Sequence, residues 1–476
     1  MTTLAMPDLP ALPVVPSSDL VARMSRQGPR YTSYPTADRF APDFGSDGYR
    51  LAVESRRQAP ARPPLSLYVH IPFCQSLCYY CACNKIVTSD RDKAAVYLGY
   101  LLREIDIQAA LYEGMNRVEQ LHFGGGTPTY LSGEQMAVLI RHLHERFDFA
   151  GDADGEYGIE IDPRTVDAAR IAQLRAQGFN RISLGVQDFD PEVQQAVNRV
   201  QPESLTLDAI AAARAQGFRS ISIDLIYGLP KQSVASMRRT LDKVVAAAPD
   251  RISVYSYAHM PELFKSQRLI REEDMPSAQT RLDLLALCIA HLTASGYVYI
   301  GMDHFALPGD ELALAQRAGR LHRNFQGYST HADTDMLSCG VSAISTVGGA
   351  YCQNEKSLGR YYAALDRGEL PVARGLRLND DDLVRRDLIQ RLMCDFDIDL
   401  AAFEARHGID FAGYFAREQD RLDEFVRDGL LLREPGRLRV TGQGRFLVRN
   451  ICMAFDRYLG RAAAIPLQRL PYSRTV

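Results

Sequence analysis

Ser66-Leu67-Tyr68-Val69-His70-Ile71-Pro72-Phe73-Cys74-Gln75-Ser76-Leu77-Cys78-Tyr79-Tyr80-Cys81-Ala82-Cys83 runs from a strand-like hexapeptide straight into four cysteines. Ser66–Ile71 is short, apolar and rich in β-formers, as a strand is. A strand that hands a reactive loop to its carboxyl end is the working unit of parallel α/β folds.

Outward from this unit the pattern repeats. Further strands are expected at Gln120–Phe123, Tyr157–Ile161, Arg181–Val186, Ser220–Ile226, Arg251–Tyr257 and Tyr297–Gly301. Between them, apolar residues at three- and four-residue spacing predict helices over Asp92–Glu113, Gly133–Phe147, Thr165–Gln177, Leu205–Gln216, Val234–Ala248 and Gln279–Ser295. Gly178, Gly217 and Gly296 follow three of these helices, where a left-handed residue closes a helix. Alternating β and α elements imply parallel strands with crossover helices, six or seven units making a partial or full barrel. The chemistry-bearing words then belong at the strand exits. Gly124-Gly125-Gly126-Thr127, Asp162-Pro163-Arg164, Gln187-Asp188, Tyr227-Gly228-Leu229-Pro230 and Ala258-His259 each follow a strand.

Residues 1–62 read as an N-terminal extension with little periodicity, ending in the proline-rich Ala59–Pro64. After about residue 375 the pattern changes. Helices are expected at Asp381–Asp395, Leu400–His407 and Phe411–Asp428, then a hairpin (Leu430–Arg433 and Leu438–Thr441 around Glu434-Pro435-Gly436) and a last helix at Gly444–Arg457. Three helices and a hairpin suggest a winged-helix-like module. The expected division is 1–62 extension, 63–375 α/β barrel and 376–476 helical C-terminal domain.

Charge and hydropathy narrow the class. A net charge of −3 over 476 residues gives no basic field, so nucleic acid is not an expected partner. The C-terminal module carries Arg385, Arg386 and Arg391, but Asp380–Asp382 and Asp395 interleave with them, so it reads as an active-site cover and not as a DNA reader. No apolar run approaches the ~20 residues of a membrane span. Met1–Asp19 has four prolines and no basic residue, unlike a signal peptide, which points to the cytoplasm. Thiols stay reduced there. Of nine cysteines, Cys288, Cys339, Cys352, Cys394 and Cys452 are scattered and read as small core residues.

The remaining four form the cluster. Thiolates hold iron–sulfur clusters, and a three-cysteine loop leaves one iron open for a substrate. Four cysteines for three or four positions leave the ligand set ambiguous. A structural zinc site is the bland alternative, but zinc sites usually add a distant second ligand pair, and no second cysteine pair exists here.

The spacing Cys74-x3-Cys78-x2-Cys81 resembles the signature of the radical S-adenosylmethionine superfamily. More narrowly, Gly28–Ala37, Tyr68–Cys74, Cys83-Asn84-Lys85-Ile86, Leu121–Leu131, Asp224–Pro230 and Gly301-Met302-Asp303-His304-Phe305 resemble oxygen-independent coproporphyrinogen III oxidases (dehydrogenases). That resemblance implies a partial (β/α)6-type radical SAM barrel. It implies a 4Fe–4S cluster on Cys74, Cys78 and Cys81, whose fourth iron binds S-adenosylmethionine and whose electron cleaves it to methionine and a 5′-deoxyadenosyl radical. It also implies oxidative decarboxylation of two propionates of coproporphyrinogen III to vinyls, giving protoporphyrinogen IX. A low-potential electron donor and a monomeric state go with it.

The family binds two adenosylmethionines. Tyr68, Gly125, Glu160 and Ile344 match its contacts to the first; Tyr80, Gly126, Thr127, Gln187, Arg199, Asp224 and Ala258 match those to the second. Phe325 and Gln326 fall where the family also has functional residues, and Cys83 matches a further cysteine that its activity needs without binding iron. The residue types suit these roles. Glycines let backbone amides approach a ligand, although Gly124–Gly126 alone also makes a tight strand-to-helix turn. Carboxylates suit ribose hydroxyls or an ammonium, and Arg199 suits a carboxylate. Four substrate propionates call for cations, with Lys265, Arg268, His304, His322 and Arg323 as candidates. His331-Ala332 and Ser338-Cys339 depart from the family pattern, as does Phe123 in place of tryptophan. A haem chaperone or a haem-degrading relative of the same superfamily is the alternative; Cys83 and Arg30–Ala37 speak for the decarboxylating enzyme.

Overall fold

The computed structural model describes residues 12–332, 334–459, 472 and 475. Residues 1–11 of the expected extension, and 460–471, 473–474 and 476 of the expected C-terminal domain, lie outside the described residues. The chain forms two compact units.

The larger unit spans Arg39–Pro276 and Asp333–Leu378. Its sheet begins with β1 (Leu65–Ile71), β2 (Arg117–Gly125), β3 (Glu156–Ile161), β4 (Arg181–Gln187), β5 (Ser220–Tyr227) and β6 (Arg251–Ser256). All pair in parallel, in sequence order. Helices cross between them: α1 (Asp92–Leu111), α2 (Gly133–Arg146), α3 (Ala168–Ala176), α4 (Glu203–Ala215) and α5 (Val234–Ala247). Helix α2 starts on a capping box, Ser132 accepting from Gln135 N while the Gln135 side chain accepts from Ser132 N. Helices α3 and α4 are each followed by a left-handed glycine, Gly178 at φ +100° and Gly217 at +71°. Residues on both faces of β1 are buried, as crossover helices require of a parallel sheet.

The part of the sheet beyond β1 had no counterpart in the sequence reading. β7 (Asp335–Cys339) returns to lie parallel to β1 on the side away from β2. β8 (Ile344–Val347), β9 (Ala350–Asn354) and β10 (Val372–Arg377) extend the sheet antiparallel. Within this unit the strands lie in the order β6-β5-β4-β3-β2-β1-β7-β8-β9-β10. These strands are short and carry polar residues into the interior: Ser338, Gln353 and Asn354 are all buried. Periodicity of apolar residues is therefore weak there. Residues 45–58, expected to be irregular, are a helix (Gly45–Gln58) that buries Tyr49, Ala52, Val53 and Arg56. The Arg56 guanidinium reaches Asp335 at 2.6 Å and the Pro63 carbonyl, which fastens this helix to β7 and to the entry of β1.

The smaller unit takes the chain up to residue 38, then 277–332 and 379 onward. Its core includes Leu388, Leu392, Phe403, Phe415, Phe425, Ile451 and Phe455. Helix Asp380–Cys394 starts with three acids and a capping box from Asn379 and Asp382, which complements its dipole. Asp397–Asp399, Leu431–Glu434 and Arg437–Val440 form a three-stranded antiparallel sheet. The helix expected over Phe411–Asp428 is two, Phe411–Tyr414 and Gln419–Arg427, and the last helix breaks at Leu447. Apolar spacing reports which face is buried, and Phe411, Phe415, Leu422 and Phe425 stay on one core through the break. The five scattered cysteines are buried, as expected. Among the described residues no helix is long and apolar enough to cross a membrane.

Candidate active site

The cysteine loop leaves β1 through Pro72 and the two-residue strand Phe73–Cys74, which pairs with Ile86–Val87. Its backbone is held from several sides. Asn198 Nδ2 donates to Leu77 O at 2.7 Å and Tyr79 N donates to Val197 O at 3.0 Å. Gln267 Nε2 donates to Tyr80 O at 3.0 Å, and Lys85 Nζ to Cys81 O at 2.8 Å. With these carbonyls satisfied, the cysteine side chains are left to line one cavity. Cys78 is buried, Cys74 and Cys81 are half-buried, and Cys83 is exposed. Burial pushes the Cys74 thiol up to about 11, against a hydrogen bond from Thr127 Oγ1 at 3.5 Å. A hydrogen bond from Cys83 outweighs burial at Cys81 and, with the Lys85 ammonium, brings it down to about 6; Cys83 is driven up in turn.

The glycine run packs against the root of this loop. A Cβ on Gly126 would stand 2.7 Å from the carbonyl carbon of Pro72, and one on Gly124 2.9 Å from Glu160 Oε1. Gly125 has φ +116°, open to glycine at no steric cost, and donates its N–H to Glu160 Oε2 at 3.2 Å. Glu160 Oε1 also meets His122 Nε2 at 3.3 Å. Burial raises the Glu160 pKa, but His122 and the Gly125 amide outweigh it and hold the carboxyl below its ordinary range. Deeper in, burial lifts Asp224 to about 6 although Ser183 Oγ donates to it at 2.8 Å. Of these two carboxylates, Glu160 is held toward its ionised form and Asp224 is raised to about 6.

A third group was legible only as a word after a strand. Asp162 caps the short turn Pro163–Thr165 and holds Arg164, whose Nη2 lies 2.7 Å from Oδ2. Arg199 Nη1 reaches the same oxygen at 3.2 Å. Both guanidiniums also donate to Cys78 Sγ, Arg164 at 3.7 Å and Arg199 at 3.5 Å. Neither Asp162 nor Arg164 was singled out from sequence as a site residue, because nothing local to them points to Cys78.

Of the expected residues, Cys74, Cys78, Cys81 and Cys83 share the cavity with Tyr80, Gly125, Gly126 and Thr127. Glu160, Gln187, Arg199 and Asp224 line it too. Tyr68 stands just behind, its hydroxyl 3.1 Å from His70 Nδ1 and its ring stacked on His122. Ala258 is positioned through its carbonyl, which accepts from Gln267 Nε2 at 3.1 Å. Ile344 opens β8, and its carbonyl accepts from Ser338 Oγ at 2.5 Å. Phe325 and Gln326 are in the smaller unit, at the turn between His322–Asn324 and Gly327–Ser329.

The donor set suits an iron–sulfur cube better than a single ion. Among the described residues no three His, Cys, Asp or Glu side chains converge as a mononuclear metal requires. A four-iron cube takes its thiolates on separate irons, and three cysteines of one loop line this cavity. Gly125 and Gly126, which line the cavity beside the cysteines, let a bound cofactor approach the backbone with no intervening Cβ.

Comparison with known proteins bears on the same residues. The Radical SAM superfamily model matches residues 68–244, and the HemN C-terminal domain model matches 378–447. The chain is 50% identical to the oxygen-independent coproporphyrinogen III oxidase of Pseudomonas aeruginosa over 459 residues, covering 96% of this chain and 98% of that one. It is 51% identical to the enzyme of the same name from Escherichia coli, covering 93% and 96%. The solved structure of the Escherichia coli coproporphyrinogen III oxidase HemN, described as a radical SAM enzyme, superposes with a TM-score of 0.88 at 49% identity, over 94% of this chain and all of that one. On similarity of that extent, the chain belongs to the family of oxygen-independent coproporphyrinogen III oxidases.

Proposed function

We propose that this protein converts coproporphyrinogen III to protoporphyrinogen IX by oxidative decarboxylation of two propionates to vinyls, cleaving two S-adenosylmethionines to methionine and 5′-deoxyadenosine. The observation that carries this reading is the convergence of three cysteines from one strand-exit loop on a cavity that also holds Glu160, Asp224 and the glycine run. Cys74, Cys78 and Cys81 would hold a 4Fe–4S cluster, which when bound supplies the electron for adenosylmethionine cleavage.

The chain's own groups do the rest. Glu160, kept ionised, is suited to ribose hydroxyls or to the ammonium of an adenosylmethionine. Gly125 and Gly126 offer close backbone approach, and Tyr68 backs the first molecule's site through His70 and His122. Tyr80, Thr127, Gln187, Arg199, Asp224 and Ala258 are assigned to the second molecule. Tyr80 packs on an apolar cluster that includes Val197, Ile226 and Tyr257, and it lines the cavity. Cys83, Phe325 and Gln326 are assigned to turnover, and Ile344 to the first molecule.

Among the cations weighed for the propionates, Arg323 stands out. It is 3% exposed, its Nε and Nη1 have no hydrogen-bond partner among the described residues, and its guanidinium rests 4.8 Å over the Tyr328 ring. An unpaired buried cation is costly unless an anion arrives. Arg268, by contrast, spends its Nε on the Pro261 carbonyl at 2.9 Å. We infer a monomer in the reducing cytoplasm, fed by a low-potential one-electron donor. The relatives named above carry the name of the decarboxylating enzyme and not of a haem chaperone.

The test is anaerobic reconstitution with iron and sulfide, followed by incubation with reductant, adenosylmethionine and coproporphyrinogen III. Vinyl product and carbon dioxide are expected. Adenosylmethionine cleavage without decarboxylation of that substrate would overturn the substrate assignment.

A further inference from the structure

Asp162, Arg164 and Arg199 make a compact charge group of one carboxylate and two guanidiniums, with both guanidiniums turned on the same sulfur. Arg164 is gripped by Asp162 through Nε at 3.0 Å and Nη2 at 2.7 Å, which fixes the plane of its fork. The same Nη2, held on Asp162, also reaches Cys78 Sγ at 3.7 Å. Arg199 adds a second donor to the same sulfur and is locked by Gly185 O at 2.6 Å. Thr127 is the donor to Cys74, a neutral hydroxyl, and Cys81 has Lys85 and Cys83 beside it. The charge group with net +1 is thus built against Cys78.

We propose that Arg164 is a positioning residue that acts through Cys78 to raise the reduction potential of the iron–sulfur cluster. This rests on the reading that the cluster sits on Cys74, Cys78 and Cys81. Reduction adds one electron from a low-potential one-electron donor, and no proton need move. The added negative charge spreads onto the cluster and its thiolates. An N–H donor and a positive charge at one thiolate stabilise the reduced state more than the oxidised one, because hydrogen bonds to ligand sulfurs and local charge are the protein's levers on such potentials. Asp162 aims Arg164 and cancels one of the two positive charges, so the lever is moderated. Arg199 is a weaker test residue, since it is also assigned to an adenosylmethionine.

The experiment is a redox titration, followed by electron paramagnetic resonance, of the anaerobically reconstituted full chain without adenosylmethionine. Arg164→Leu is expected to keep the wild-type iron and sulfide content. Its ratio of reduced to oxidised cluster at a fixed potential should fall about tenfold, a midpoint ~59 mV more negative for one electron. Arg164→Gln keeps an N–H without the charge and should lie between Leu and wild type; Arg164→Lys should lie nearest wild type. If the Leu variant does not retain a cluster, the Gln and Lys variants carry the comparison. Midpoints equal to wild type overturn the proposal, and equal midpoints with weakened adenosylmethionine binding would make Arg164 a ligand clamp instead. Loss of the cluster from all three variants would make it a structural prop, which also overturns it. Failure of the underlying reading looks different: the wild-type chain itself would take up no four-iron cluster.

Discussion

Tyr361 donates its hydroxyl to Glu104 at 2.5 Å in a place that no water reaches, both side chains being fully buried. Glu104 stands on α1 and also accepts from Gly340 N at 2.7 Å and Asn354 Nδ2 at 2.6 Å. It thereby ties α1 to the end of β7, to β9 and to the helix Leu358–Asp366, around the turn that leads to Ile344. Burial outweighs its three donors and lifts its pKa from 4.5 to about 7.

The sign of the resulting pH dependence follows. The folded state keeps Glu104 protonated up to about 7, whereas the unfolded chain releases the proton from about 4.5. Stability contributed by this group is therefore full at low pH and is lost as pH rises between those values, by about 3 kcal/mol in all. Glu104→Gln should flatten that part of the profile in denaturant titrations of the cluster-free protein. An unchanged slope in the Gln variant would remove Glu104 as its source.

Gly126→Ala tests the root of the cysteine loop. The added methyl would meet the Pro72 carbonyl carbon and oxygen at 2.7 Å and the Phe73 oxygen at 2.8 Å, all of them backbone atoms that no rotamer can move. The variant should lose about 1–3 kcal/mol of stability and, because the loop must shift, much of its iron after reconstitution. Normal stability and iron content would show that the loop has slack.

The parts of this architecture that were legible in sequence are those specified locally. Strands β1 to β6 announce themselves because a parallel sheet buries both faces and each strand becomes an apolar run; the helices between them show one apolar stripe, and α3 and α4 a glycine stop. The site words sit at strand exits because the fold leaves ligands no other place. What stayed hidden is specified by distant partners. Strands β8 and β9 hold Ser345, Gln353 and Asn354 inside the sheet, where Ser338, Ser342 and Glu104 satisfy them. Arg164 looks like a solvated charge until the exits of β3 and β4 bring it and Arg199 onto Cys78. Glu104 likewise reads as an exposed helix residue until three donors from elsewhere close on it.

Cys78→Ala and Cys83→Ser should separate the ligands from their neighbour. Cys78 is buried at the centre of the Arg164 and Arg199 contacts, while Cys83 is exposed and hydrogen-bonded to Cys81. Iron analysis after anaerobic reconstitution is expected to find no cluster in the first variant. The second should carry a normal cluster with lowered turnover. A cluster lost from the Cys83 variant would show that four cysteines, not three, serve the irons.

Glu160→Gln keeps the shape of the side chain and removes its charge. The contacts to His122 and Gly125 can be remade by an amide, so iron content should hold. Adenosylmethionine should bind about tenfold more weakly, ~1.4 kcal/mol, as measured by calorimetric titration of the reconstituted protein. Equal affinity would mean that Glu160 only props the glycine run.

Arg323→Met offers a test in which stability and function are expected to move apart. In the free protein the Arg323 guanidinium is buried with Nε and Nη1 unpartnered among the described residues. Replacing a buried unpaired cation by an apolar chain of similar length should leave the fold as stable or make it more so. If the cation waits for a substrate carboxylate, the same change should raise the KM for coproporphyrinogen III at least about tenfold, ~1.4 kcal/mol. Adenosylmethionine cleavage in the absence of substrate should continue at the wild-type rate. Thermal unfolding together with steady-state kinetics distinguishes the cases. A destabilised variant with an unchanged KM would make Arg323 a structural residue packed on Tyr328, and the propionate contact would have to be sought at another cation.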